Sequence, residues 1–178
     1  MHTHPLRPRL PIAYRIIHLH ANPWFSGTGL KPAAQVNLIC FGSSGSGGSQ
    51  FLPWNRLVPD GMRVLGVQLP GREFRHREPL CMDLDALVES IASALCALAG
   101  PFAFFGHSFG ALLAFETAQR LRAMGERQPL ALFVAGRGAP QHALDYPRVD
   151  HLPDLEFIDV VRRFGGTDPQ LLGDTAPM

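Results

Sequence analysis

Phe102-Ala103-Phe104-Phe105-Gly106-His107-Ser108-Phe109-Gly110-Ala111-Leu112-Leu113-Ala114-Phe115-Glu116 is the stretch on which the fold turns. Its first four residues are a short apolar run, the length of a buried strand. Gly106-His107-Ser108-Phe109-Gly110 follows as G-x-S-x-G, and Ala111 to Met124 then reads as a helix closed by Gly125. Strand, sharp turn and helix in that order set a serine on a strained backbone with its hydroxyl projecting into a cleft, the placing of a nucleophile. Gly106 and Gly110 lack a Cβ, so strand and helix can approach closely around it. The helix N-terminus beneath Ser108 favours negative charge and helps an oxyanion form there. The plain alternative is an ordinary turn serine in a pentapeptide that arises by chance. The strand before it and the helix after it favour the catalytic reading.

Working outward toward the N-terminus, Asp83 can cap a helix running to about Ala99. Leu84, Leu87, Val88, Ile91, Leu95 and Leu98 give it one apolar face, and Gly100-Pro101 stops it. Before it lies a strand, Arg63 to Leu69, ended by the Pro70-Gly71 turn. Gln50 to Leu57 reads as a short helix and Val36 to Phe41 as a strand, while Trp24 to Ala34 reads as a loop. Toward the C-terminus, Ala131 to Ala135 is a further buried strand. Strand and helix alternate throughout. That order predicts an α/β fold with a mostly parallel sheet and helices on both faces. Right-handed crossovers place the strand C-termini, and Ser108 with them, along one edge, beyond which ligands bind in such sheets.

Between the first strand and the short helix runs Gly42-Ser43-Ser44-Gly45-Ser46-Gly47-Gly48-Ser49. In isolation it looks like a flexible linker. As a phosphate-cradling loop it fails, because no Lys-Ser/Thr pair ends it and its glycines do not fit G-x-G-x-x-G. A small-residue loop directly after a strand can instead turn a backbone N–H toward the serine and complete an oxyanion hole. After Gly136 the alternation breaks. Residues 137–153 are irregular, and Asp154 can cap a short helix from Leu155 to Phe164, as surface packing or as the start of a lid.

The 178 residues suffice for one domain with a sizeable core, and 46% hydrophobic against 17% charged residues fits a globular chain. A net charge of +1 offers no strong field toward nucleic acid or an anionic membrane, and no apolar run reaches a membrane span. Cys40, Cys81 and Cys96 are odd in number and lack metal-ligand spacing; Cys40 and Cys96 read as buried free thiols, which favours a reducing cytoplasm. Residues 1–21 are rich in Pro, Arg and His without a period and read as a disordered extension. His2-x-His4 and His18-x-His20 have no acidic or cysteine partner near them, so neither reads as a metal site.

These residues resemble the type II thioesterases that accompany non-ribosomal peptide and polyketide synthases, within the α/β-hydrolase fold. The resemblance runs from about Trp24 to the end. It is carried by Leu38-Ile39-Cys40-Phe41 with the Gly/Ser loop, by Pro53-Trp54, and by Val67-Gln68-Leu69-Pro70-Gly71-Arg72-Glu73. The pentapeptide with its helix, Gly136-Arg137-Gly138-Ala139-Pro140, and Leu152-Pro153-Asp154 through Phe157 to Gly165-Gly166-Thr167 complete it. The resemblance implies hydrolysis of acyl groups from the phosphopantetheine thiol of acyl or peptidyl carrier proteins, clearing wrong or stalled chains. It implies no cofactor of the enzyme's own, since the phosphopantetheine arm belongs to the substrate. By position it makes Ser108 the nucleophile, makes Phe109 N–H and Ser44 N–H the oxyanion hole, and starts a lid at about residue 139. Where the family usually has Pro, an aromatic or His, and Ala, this chain has Gly42, Ser43 and Ser44, so a more flexible loop is expected.

A serine hydrolase also needs a base and an acid that orients it, and in this fold they follow the serine in the order acid, then His. After Ser108 the histidines are His142 and His151, both in the irregular segment, with Asp145, Asp150 and Asp154 nearby. They read as surface polar residues, and His107 is expected to point away from the serine. Residues 22–178 are accordingly expected to be the N-terminal part of the hydrolase domain, ending before the acid, the base and the final strands, and close to inactive alone. Two other functions stay open: a general carboxylesterase, and a non-catalytic module that binds a carrier protein.

Overall fold

The computed structural model describes residues 22–139, 149 and 151–165. It divides into two units, 1–139 and 140–178. The first carries a five-stranded sheet. Its strands are β1 (Phe25–Ser26), β2 (Val36–Phe41), β3 (Met62–Val67), β4 (Phe102–His107) and β5 (Leu132–Ala135), in the order β1-β3-β2-β4-β5. All neighbours are parallel except β1, which pairs antiparallel with β3. The two-residue β1 lies within the stretch read from sequence as loop. It is too short to show a period, and it forms because Phe25 is buried against the core beside Val67.

Two α-helices follow in this unit, α1 (Leu84–Cys96) and α2 (Phe109–Ala123). The period-2 alternation of the strands separates two apolar clusters. On one face Ile39, Phe41, Leu65, Val67, Phe102 and Phe104 pack against Leu87, Ile91 and Leu95 of α1 and Leu113 and Leu121 of α2. On the other, Cys40, Val64 and Phe105 meet Phe51 and Trp54 of a 3-10 segment, Gly48–Arg56. Phe51, Trp54 and Phe105 make mutual edge-to-face contacts with ring centroids 5.1–5.9 Å apart. Sheet faces are thus covered on both sides, by α-helices on one and by this 3-10 segment on the other. Pro53 lacks an N–H, which disfavours an α-helix there.

Asp83 caps α1 as its position predicts, its carboxylate accepting from Ala86 N–H at 3.2 Å. The helix ends at Cys96, short of Ala99, because Gly100 takes φ 80° and precedes Pro101. In the second unit α3 spans Asp154–Phe164. Asp154 is its first residue and not its cap. Pro153 holds the cap position with extended backbone, and its carbonyl takes the first helical bond from Phe157 N–H at 2.9 Å. Asp154 and Glu156 still place negative charge on the first turn, where the helix dipole favours it.

Candidate active site

Ser108 joins β4 to α2 with φ 55° and ψ −116°. A serine at a helix start ordinarily has extended backbone and accepts a hydrogen bond from an N–H two or three residues on. Ser108 does neither, and its hydroxyl makes no capping bond. The turn is instead held by the main chain. Ser108 N–H donates to the Ala135 carbonyl of β5 at 2.9 Å, and Ala111 N–H donates to the Ser108 carbonyl at 3.0 Å. Left-handed backbone of this kind costs a non-glycine residue about 1–3 kcal/mol and persists only where its surroundings impose it.

The flanking glycines are what allow that imposition. A Cβ on Gly106 would stand 2.5 Å from the Gly110 carbonyl oxygen and 2.6 Å from Ala111 Cα. One on Gly110 would run into the Phe41 carbonyl and stand 2.5 Å from that of Gly42. Strand, turn and helix therefore meet backbone to backbone. The ring of His107 lies against the end of β5, where its Nε2 would lie 2.8 Å from a Cβ on Gly136.

The Gly/Ser loop approaches this turn at Gly42. Ser46 donates to the Ser43 carbonyl from both its N–H, at 3.1 Å, and its hydroxyl, at 2.7 Å. Further along, the Glu73 carboxylate accepts from Ser49 N–H at 3.3 Å and from the Ser49 hydroxyl at 2.5 Å. Gly48 N–H donates to Gln68 Oε1 at 3.0 Å. The loop expected to be flexible is thus tied along its length, with Ser44 and Gly45 exposed at its tip.

Gln68 is the hub of this arrangement and is fully buried. Its Nε2 donates to the Arg72 carbonyl at 2.8 Å, and its own carbonyl accepts from Arg75 Nη1 at 2.9 Å. Arg75, also buried, grips Glu78 through Nε at 2.8 Å and Nη2 at 2.6 Å and lies 4.2 Å over the Trp24 ring. Those bonds hold the Glu78 carboxyl below its ordinary range. The sequence marks Gln68, Arg72 and Glu73 only as part of the stretch that carries the resemblance, and gives none of them this supporting role. The signal was a glutamine placed directly after the apolar run Val64–Val67, where a strand leads into the core.

A cleft of about 140 Å³ lies beside the turn. Leu69, Leu80, Leu87 and Phe109 give it apolar walls, and Ser43, Ser44, Ser46, Arg72 and Cys81 line it with polar groups. Phe109 and Ser44, the two residues assigned by resemblance to the oxyanion hole, both line this cleft, whereas Ser108 itself does not. Of the histidines and acids after Ser108, His142, Asp145 and Asp150 lie outside the described residues, as do residues 1–21. His151 and Asp154 belong to the second unit.

All three cysteines are free. Burial pushes the Cys40 thiol up to about 12. Cys96 is half-buried, and its thiol too is raised, chiefly by burial. Among the described residues no group of three His, Cys, Asp or Glu could hold a metal ion, and no helix is long and apolar enough to cross a membrane.

A parallel sheet that delivers a strained serine from strand to helix beside a cleft defines the α/β-hydrolase class. Within that class the chain belongs to the thioesterase family, whose domain profile matches residues 36–178. It is 39% identical over 158 residues to the gramicidin S biosynthesis protein GrsT of Aneurinibacillus migulanus, covering 88% of this chain and 62% of that protein. RedJ, the thioesterase from the prodiginine biosynthetic pathway in Streptomyces coelicolor, superposes with a TM-score of 0.70 at 42% identity, over 78% of this chain and 52% of that one. The type II thioesterase BorB from the borrelidin biosynthetic cluster superposes with a TM-score of 0.70 at 33% identity, over 87% and 63%. The chain spans less than two thirds of the length of each of these relatives.

Proposed function

We propose that the site hydrolyses acyl thioesters from the phosphopantetheine arm of acyl or peptidyl carrier proteins, as an editing activity of peptide or polyketide synthesis. The observation that carries this is the conformation of Ser108: left-handed, pinned at both sides, its hydroxyl uncommitted to a helix cap. Membership of the thioesterase family, and the biosynthetic relatives GrsT, RedJ and BorB, support a thioester as the bond attacked. In this reading Ser108 Oγ adds to the thioester carbonyl and the C–S bond breaks, with the proton passing to the departing thiol. Water then releases the acid from the acyl-serine. Phe109 N–H and Ser44 N–H donate to the carbonyl oxygen as it takes up charge, assisted by the N-terminus of α2. The serine needs a base to accept its proton. His142 and His151 are not assigned that role.

The test is a comparison of Ser108→Ala with its parent, both in a full-length version of the protein, on an acyl-phosphopantetheinyl carrier protein and with a fluorophosphonate probe. Loss of a nucleophile that works with a base costs about 10⁶ in kcat. Turnover and labelling are expected to vanish in the alanine variant and to persist in His142→Ala and His151→Ala. Equal turnover with and without the Ser108 hydroxyl excludes the assignment. A preference for simple oxygen esters over carrier thioesters would make the protein a general carboxylesterase.

A further inference from the structure

Arg72 lines the cleft beside Ser108 and is half-buried there. Its side chain makes no hydrogen bond or ion pair with any described residue. Three other arginines differ. Arg75 is matched by Glu78 and the Gln68 carbonyl, Arg63 by Asn37 and the Thr28 carbonyl, and Arg120 by Glu89. A guanidinium taken partly out of water without a partner loses hydration and recovers nothing for it in the free protein.

The backbone on both sides of Arg72 is left-handed, and at Glu73 that form is unfavourable. Gly71 has φ 74° and Glu73, which is not a glycine, has φ 42°. Three bonds impose this: Gln68 Nε2 donates to the Arg72 carbonyl at 2.8 Å, Arg75 N–H donates to the same carbonyl at 2.8 Å, and Gly71 N–H donates to the Arg75 carbonyl at 3.1 Å. Backbone strain of this kind persists where surrounding contacts over-determine it, and it collects at ligand sites. Here it fixes a bare cation against apolar walls and a row of serine hydroxyls.

We propose that Arg72 is a binding residue for an oxyanion carried by the substrate, received by the guanidinium with help from the Ser43 and Ser44 side of the cleft. This rests on the reading of the cleft as the thioester site. The planar fork of the guanidinium donates to two oxygens of a phosphate or a carboxylate at once, and apolar surroundings strengthen that pairing. A carrier-bound substrate has two places for such an anion: the phosphate of the arm, and a carboxylate where the acyl chain bears one. Both use the same chemistry at Arg72 and differ in where along the substrate the charge lies.

Binding to the 178-residue chain is measured by calorimetry, with no need for turnover. One pair of probes is 4′-phosphopantetheine against pantetheine. The other is S-(2-carboxyethyl)pantetheine against S-propylpantetheine, thioethers that cannot be hydrolysed. In at least one pair the anionic member is expected to bind roughly 10–100-fold more tightly. The pair that shows the gap identifies the source of the charge. That gap should narrow at high salt, close in Arg72→Gln and survive in part in Arg72→Lys, with circular dichroism showing that each variant is folded. Equal binding within both pairs overturns the proposal, as does a gap that persists undiminished in folded Arg72→Gln. Carrier-thioester turnover without any anion preference would sink this inference alone. An anion preference in this chain, together with no carrier-thioester turnover by a full-length version, would sink the thioesterase reading and leave Arg72 as an anion site.

Discussion

Ser108 holds a backbone conformation that glycine would adopt without steric cost. Ser108→Gly is therefore expected to raise stability by about 1 kcal/mol while abolishing probe labelling, a trade that a merely structural serine would not show. Urea unfolding of the two proteins reads the first half; a variant no more stable than its parent would mean that the turn is unstrained. Cys40 makes a second prediction at this scale. Its thiol keeps its proton in the fold to about pH 12, against an ordinary value of 9.0. Between those values the unfolded chain binds fewer protons than the folded one, so stability falls as pH rises from about 9 toward 12. Unfolding midpoints at about pH 8 and pH 10.5 should diverge less in Cys40→Ala than in the parent. At the lower pH a thiol reagent should modify Cys81, which lines the cleft, and spare Cys40, which is wholly buried.

At the scale of elements, α2 is pressed against the sheet through Gly110, where the Phe41 and Gly42 carbonyls leave no room for a methyl group. Gly110→Ala should destabilise the fold by about 1–3 kcal/mol by forcing helix and strand apart. An unchanged denaturation midpoint would show that the helix can lift without cost. Those same contacts explain how much was readable in advance. β2, β3, β4, β5 and the three α-helices follow from apolar runs and from stop signals such as Gly100-Pro101, because local chemistry fixes them. Glycines at both ends of the pentapeptide announce the close approach, so the place of Ser108 is legible too. β1 is not, since two residues have no period and owe their conformation to the edge of β3. Nor is the Gln68 hub, whose bonds to Gly48, Arg72 and Arg75 span up to twenty residues of chain. Its Pro-Gly-Arg-Glu neighbours served as a family mark, whereas their physical task is to hold the Gly/Ser loop and aim Arg72.

Taken whole, the sheet is lopsided. β1 and the 3-10 segment shelter one side, while β5 ends the strand order on the other and is not the buried strand expected from its apolar run, because as an edge strand it leaves Phe133 56% and Val134 50% exposed among the described residues. Among the described residues no strand pairs with the outer edge of β5. Such an edge recruits other chains, and a lysine on it is a common deterrent. The purified 178-residue chain is expected to self-associate with rising concentration, and Val134→Lys to shift it toward monomer in light scattering. If both proteins associate alike, the contact lies elsewhere. The central place of β2 also governs the order of assembly. Asn37 finds its β3 neighbour at Arg63 but its β4 neighbour only at Phe102. At about 5–20 residues per second of synthesis, β2 waits several seconds after leaving the ribosome before its second flank is filled. Throughout that interval Val36-Asn37-Leu38-Ile39-Cys40-Phe41 is an apolar ribbon with one bare side, the segment of the nascent chain that a chaperone would hold.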